Sequence, residues 1–125
     1  MVGMVHKKIL EAASVRPSGT AVGQALKIPD GVKTLLLTCK LTYHASASRG
    51  AEVKIYTNPT GESWDTDPYA SFLMPFSAGA TKQKTVLVDV EGLEFIRADV
   101  ENLDSSYPIS NVKIIVVSER DVFSQ

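Results

Sequence analysis

The chain lacks most of the residues on which disulfide-bonded and metal-binding proteins depend. Its 125 residues include one cysteine and two histidines. A single cysteine excludes an intramolecular disulfide framework. The formal net charge is -1, which leaves no long-range field to attract nucleic acid or an anionic membrane surface. We therefore expect neither nucleic acid nor a membrane among its partners.

Long apolar runs and amphipathic helical patterns are also missing. No apolar stretch approaches the roughly 20 residues that a membrane-spanning helix needs. The N-terminal sequence MVGMVHKKIL has neither the apolar region nor the cleavage site of a signal peptide. These absences predict a cytoplasmic protein, or one released from the cytoplasm by lysis. Because no long helical pattern separates the apolar segments, parallel β-α-β architecture is disfavoured.

What the chain does contain is apolar alternation. Residues 32–43 read VKTLLLTCKLTY, in which one parity is apolar and the other is rich in threonine and lysine. A period of two is typical of a β-strand with one face in a core and one in water. The predicted inward row is Leu35, Leu37, Cys39, Leu41 and Tyr43. Cys39 is accordingly interpreted as a small buried hydrophobe and not as a reactive thiol.

The same alternation recurs along the chain, separated by turns rich in glycine, proline, asparagine and aspartate. It predicts an all-β protein: an antiparallel two-sheet β-sandwich of about seven or eight strands, jelly-roll-like or immunoglobulin-like. A single domain is expected to span residues 1–125. Residues 1–7 and 120–125 are predicted to be frayed tails.

Three features of this pattern leave alternatives open. Residues 7–14, KKILEAAS, fit either a short helix or an edge strand. Gly23, inside the segment TAVGQALKI, indicates either a bulge or a close approach of two backbones. The last strand, at 111–119, is apolar on both parities, which indicates a central strand or one covered by a partner.

Candidate catalytic and metal-binding residues are few. His44 lies near Ser46, but no nucleophile-elbow pattern surrounds that serine, so we predict no catalytic residue and no enzymatic activity. Asp65 and Asp67 lie together in a loop, and oxygen ligands of this kind can hold Ca²⁺. A turn-capping role explains the pair more simply. They are kept as a secondary calcium candidate, and no cofactor is predicted.

Four aromatic side chains fall in or beside one irregular region of the sequence. They are Trp64, Tyr69, Tyr56 and Phe72. An aromatic ring in a shallow groove can stack on the apolar face of a sugar. One interpretation of the chain is therefore a carbohydrate- or small-ligand-binding module that uses these residues, with a glycan as its ligand.

Five segments also follow one another in a characteristic order: a strand at 53–56, a turn at 61–64 that ends on Trp64, a glycine-containing segment at 78–80, a strand start at 95–97 and a final apolar strand at 112–117. Together they resemble small β-sandwich structural and accessory proteins of tailed phages and prophages. The resemblance covers most of residues 8–118. It implies a structural or accessory role in a virion or prophage particle, and no catalytic residue to carry over.

A non-enzymatic structural protein that self-associates accounts for most of these features. The region from Trp64 to Phe76 carries more apolar bulk than a loop facing water requires. Leu73, Met74 and Phe76 are therefore predicted to pack against a neighbouring subunit in a homo-oligomer. The alternative is the ligand-binding module described above.

Overall fold

The computed structural model describes residues 5–118 of the chain. The strands of that part are β1 (Val5–Val15), β2 (Thr20–Ala21), β3 (Leu26–Lys27), β4 (Thr34–Tyr43), β5 (Ala51–Asn58), β6 (Ala70–Leu73), β7 (Thr81–Asp89), β8 (Phe95–Asn102) and β9 (Ile109–Ser118). No helix within it is long and apolar enough to cross a membrane. The predicted tails at 1–4 and 120–125 lie outside the described residues. Residues 5–7 belong to β1 and not to a frayed tail, because they pair with β9.

The strands form two antiparallel sheets, which confirms the predicted β-sandwich. The four-stranded sheet has the order β1-β9-β4-β7. The five-stranded sheet has the order β2-β8-β5-β6, and β3 also pairs with β8. The segment TAVGQALKI contains two short strands, β2 and β3, and residues 5–118 hold nine strands where the sequence predicts about seven or eight.

The core consists of the alternating residues of both sheets. The five inward residues predicted for β4 are at most 2% exposed. From β8, the alternating apolar residues Ile96, Ala98 and Val100 are buried in the core. Burial raises the pKa of the Cys39 thiol to about 12, so the thiol is protonated at neutral pH and behaves as a core residue.

Strand β9 is central, which resolves one of the open alternatives. It lies between β1 and β4. From Val112 onward its even-numbered residues, such as Ile114, face the core, whereas Ile115 and Val117 are half-buried on the outer face of the sheet. Strand β1 pairs with β9 along nearly its whole length, so residues 7–14 form an edge strand and not a helix.

One side of the sandwich is closed by backbone contact, and the other side is open. On the closed side, the N–H of Gln24 donates to the carbonyl of Ile9 at 2.8 Å. Gly23 makes this approach possible, because a Cβ there would lie 2.2 Å from the carbonyl oxygen of Ala98. The predicted close backbone approach is thus confirmed. On the open side, β6 and β7 each pair with one strand among the described residues.

A buried asparagine locks one end of the sandwich. The Asn102 Nδ2 group donates to the carbonyls of Val15 and Arg16 at 3.2 Å and to that of Tyr107 at 2.9 Å. Its Oδ1 atom accepts the N–H of Asp104 at 3.0 Å. Because every polar atom of this buried amide is used, we assign Asn102 a structural role.

Asp104 continues the same lock. Its carboxylate accepts the backbone N–H groups of Ser48, Ser106, Tyr107 and Arg49 at 2.8, 2.7, 2.9 and 3.2 Å. These donors, that of Ser48 first, lower the pKa of the Asp104 carboxyl to about 2. Two loops and the end of β8 are therefore held by one ionised side chain.

Candidate functional site

An open groove of about 460 Å³ runs between the edge strands β6 and β7. Its lining includes Tyr69 and Phe72 from the five-stranded sheet side, and Val86, Leu87 and Val88 from the four-stranded sheet. Leu87 is 67% exposed and Tyr69 is 48% exposed. Large apolar side chains are thus exposed at the place where the two sheets separate.

Two contacts cross this groove. The Tyr69 hydroxyl donates to the backbone carbonyl of Asp89 at 2.9 Å. The Lys84 ammonium lies 5.6 Å from the centre of the Phe72 ring, within the range of a cation–π contact. Phe72 is half-buried because it pairs with the inward-facing Val53. The groove is therefore bridged between the two edge strands and remains open between the bridges.

The apolar surface continues from the groove onto the outer face of the four-stranded sheet. Leu36 lies between Leu87 of β7 and Val117 of β9 in the strand register. All three are on the outward parity of their strands. We use the name open-side surface for Tyr69, Leu87, Leu36 and Val117. Leu73 pairs with Glu52, so it lies on the outer face of the five-stranded sheet and outside this surface. Sequence reasoning missed Leu36 and Leu87, although two leucines at polar-parity positions are the signal that could have revealed them.

The structure separates the three residues predicted to form a subunit interface. Leu73 is 61% exposed and Phe76 is 41% exposed. Met74 is only 4% exposed, because its N–H donates to the carbonyl of Ala51 and its parity turns the side chain into the core. The prediction that Met74 faces a neighbouring subunit is therefore corrected: it packs within its own sandwich.

Phe76 is held by its own chain as well. Its ring meets the ring of Tyr43 edge to face, at 4.9 Å between centroids and an angle of 71°. The Tyr43 hydroxyl donates to the carbonyl of Pro75 at 2.9 Å. Burial raises the pKa of Tyr43 to about 12. Phe76 thus covers Tyr43 with one part of its surface and exposes the rest.

The four aromatic residues predicted to bind a ligand do not form one site. Tyr69 and Phe72 line the open groove. Tyr56 and Trp64 meet instead at Arg97, on the outer face of the five-stranded sheet. The Arg97 Cζ atom is 4.8 Å from the Tyr56 ring and 4.9 Å from the Trp64 ring. Sequence reasoning missed this role of Arg97, because Trp64 reaches it from a loop whose path no local pattern predicts.

Arg97 is fixed in turn by a buried carboxylate. Its Nε–H donates to the Asp99 Oδ1 and Oδ2 atoms at 3.1 and 3.3 Å. The side chain of Asp99 is 6% exposed, and its Oδ1 atom also accepts the N–H of Gly23 at 3.1 Å. We use the name arginine cluster for Tyr56, Trp64, Arg97 and Asp99.

The calcium candidates make bonds that favour a turn. The Thr57 hydroxyl donates to the Asp65 Oδ2 atom at 3.0 Å, and the N–H of Asp65 donates to the Thr57 carbonyl at 3.0 Å. Asp67 is exposed. Among residues 5–118, no three or more His, Cys, Asp or Glu side chains are grouped so that they could hold a metal ion.

His44 is engaged with its own loop. Its Nδ1 atom accepts the backbone N–H of Ser46 at 3.0 Å. Its ring stacks on Tyr107 with centroids 4.5 Å apart. Because the ring nitrogen accepts from the Ser46 backbone, this contact is a turn contact and does not activate the serine hydroxyl.

Comparisons with known proteins show similarity of fold. No known family model matches the sequence, and no curated protein is similar in sequence. The VP2 subviral particle protein of infectious bursal disease virus is similar at a TM-score of 0.56 and 11% identity, over 91% of this chain and 32% of that one. The C-terminal CBM6 of LamC from Zobellia galactanivorans is similar at 0.52 and 10% identity, over 91% of both chains.

A prophage-derived protein is also among the similar structures. The SPBc2 prophage-derived protein YomS has 17% identity, covers 92% of this chain and 93% of its own, and has a TM-score of 0.47. A score this low carries no argument. At 10% and 11% identity, the carbohydrate-binding module and the viral protein show the β-sandwich fold alone, and they do not indicate a function for this chain.

Proposed function

We propose that this chain is a non-enzymatic structural protein that self-associates through its open side, as a component of a phage- or prophage-like particle. The observation that carries the proposal is the open-side surface. Leu87 is 67% exposed and Tyr69 is 48% exposed, and both line the groove between the two edge strands. Contiguous apolar surface of this kind marks an interaction site more often than an ordinary solvated face.

The edge strands add a second reason for association. An edge strand presents unpaired N–H and C=O groups that can pair with a strand of another chain. A second copy seated on the open side would cover these groups and bury Tyr69 and Leu87 together. An isologous arrangement of this kind closes into a dimer, the commonest symmetry of homo-oligomers.

The chemistry of the described residues supports a role without catalysis. The thiol of Cys39 and the hydroxyl of Tyr43 both have a pKa raised to about 12 by burial, so neither ionises near neutral pH. The side chains of Asp104 and Asn102 form hydrogen bonds with backbone groups of the chain itself. The residues with strongly shifted pKa values, Cys39, Tyr43 and Asp104, thus have structural roles.

The proposal is tested by the mass of the protein in solution. Light scattering after gel filtration, at micromolar concentration, is expected to give a homo-oligomer for the unmodified chain. Leu87→Glu is expected to shift the mass to that of the monomer, because a carboxylate would have to be buried unpaired in the interface. Val22→Glu is the matched control. Val22 is 66% exposed, but it is adjacent to Gly23 on the closed side, away from the proposed interface. A monomeric unmodified chain, or equal loss by both variants, would contradict the proposal.

A ligand-binding module is the second candidate, and the groove itself favours it. Tyr69 and Phe72 line a concave surface of a size that small ligands occupy. The similar CBM6 fold makes a glycan the first ligand to test. Chemical shifts of Tyr69 and Phe72 during titration with a neutral glycan panel are the measurement. Movement confined to these residues and abolished by Tyr69→Ala would support the candidate, and no movement across the panel would remove it.

A further inference from the structure

We propose that Arg97, Tyr56 and Trp64 form a binding site for an oxyanion, a carboxylate or phosphoryl group carried by a small ligand. The site lies on the outer face of the five-stranded sheet and is separate from the open-side surface. Tyr56 and Arg97 are direct neighbours across β5 and β8. Trp64 joins them from the loop between β5 and β6.

The guanidinium of Arg97 is held in one orientation before any ligand arrives. The two rings lie 4.8 and 4.9 Å from its Cζ atom, and Asp99 binds its Nε–H. Asp99 is itself fixed by the N–H of Gly23. A side chain fixed in this way loses little conformational entropy on binding.

The donor groups of the cluster are left unused by the protein. A guanidinium carries five N–H groups, and the Nε–H is the one that meets Asp99. Within residues 5–118, the Nη groups of Arg97, the Tyr56 hydroxyl and the Trp64 indole N–H have no hydrogen-bond partner. No side-chain nitrogen or oxygen in that part is both buried and unpaired, so these donors remain in contact with solvent.

A patch of donors selects a ligand rich in acceptors. Guanidinium groups bind carboxylate and phosphate through paired N–H···O bonds. The charge of Asp99 offsets that of Arg97, so the attraction comes from hydrogen-bond geometry more than from net charge. The site is therefore expected to prefer a multidentate oxyanion over chloride, which accepts without the matching geometry.

The experiment uses Trp64, the single tryptophan of the chain, as a reporter within the site. Its fluorescence is followed during titration with sodium phosphate, sodium acetate and sodium chloride at matched ionic strength. A saturable change with phosphate or acetate but not with chloride is expected, and the more effective of the two identifies the group that the ligand carries. Arg97→Lys is expected to weaken binding at least about 10-fold, because it keeps the positive charge but loses the planar pair of N–H donors that can bind two oxygen atoms at once.

A second measurement and a control keep the result decisive. The indole N–H signal of Trp64 in a ¹H–¹⁵N spectrum reports binding even if the fluorescence is unchanged. Arg49→Lys, at an exposed position whose side chain is not part of the cluster, is expected to bind like the unmodified chain. The proposal is overturned if phosphate and acetate change neither signal more than chloride does. It is equally overturned if Arg97→Lys binds as tightly as the control.

Discussion

At the level of single residues, the fold depends on a few positions where one side chain, or the absence of one, decides the local structure. Gly23 lets a backbone segment pass against β8 and donate to Asp99. Asn102 donates hydrogen bonds to loop carbonyl groups, and Asp104 accepts them from loop N–H groups, where water would otherwise bind. Such residues act through contacts between distant parts of the chain, so their replacement affects the whole sandwich.

Replacing Gly23 by alanine is expected to destabilise the protein by about 2 kcal/mol, the range of overpacking against backbone. The added Cβ would lie 2.2 Å from the carbonyl oxygen of Ala98, so a main-chain segment has to move. Urea unfolding measures the change. Gly92→Ala is the matched control: a Cβ there meets nothing within 4 Å, and its φ of 82° makes the change worth only about 1 kcal/mol. Equal effects of the two substitutions would contradict the steric argument.

Asp104 is expected to make stability depend on pH in the acid range. Its pKa is lowered from 3.8 to about 2 in the folded protein, so ionisation favours folding. This contribution is fully present above the ordinary pKa of 3.8 and is lost as the pH falls through about 2.

The measurement is the free energy of unfolding of the unmodified chain and of Asp104→Asn across that range. The variant is expected to be less stable at neutral pH and to lose less stability on acidification. A variant whose pH dependence parallels that of the unmodified chain would show that other carboxylates are responsible.

At the level of elements, the strands differ in how many neighbours hold them. β9 is bonded on both sides, by β1 and β4, whereas β6 and β7 are each bonded on one side. Strand β6 has only four residues, so it pairs with β5 over a shorter length than β8 does. The open side is therefore the part of the sandwich that opens with the least loss of hydrogen bonds and apolar contact.

Amide hydrogen exchange followed by NMR is expected to reproduce this order. The amides of β9 that bond to β4 should exchange slowest, and those of β6 should exchange roughly 10-fold faster or more, because local opening of an edge strand requires less free energy than global unfolding. Equal protection of β6 and β9 in the monomeric Leu87→Glu variant would contradict the view that the open side is the weaker edge. Extra protection of β6 in the unmodified chain would be consistent with self-association.

At the level of the whole molecule, function depends on which surfaces the two sheets leave uncovered. The closed side has its backbones in contact, and the open side exposes Tyr69 and Leu87. The arginine cluster occupies a third surface, the outer face of the five-stranded sheet. The same fold in a subviral particle protein and in a carbohydrate-binding module illustrates that the sandwich itself is compatible with unrelated roles.

The alternation of the sequence determined the fold class, the inward rows of β4 and β8, and the burial of Cys39. It could do so because the parity of a side chain in a strand follows from its position alone. The glycine at position 23 likewise indicated either a bulge or a close backbone approach, and the structure shows the close approach.

The tertiary structure alone decided which strands pair, and therefore which residues meet. It placed Met74 in the core, divided the four aromatic residues between two surfaces, and brought Trp64 to Arg97 through a loop. These outcomes depend on strand order and loop path, which arise from contacts between residues far apart in the chain. Alternation within a segment contains no information about its neighbours in space, so the two candidate surfaces could be recognised only in the folded molecule.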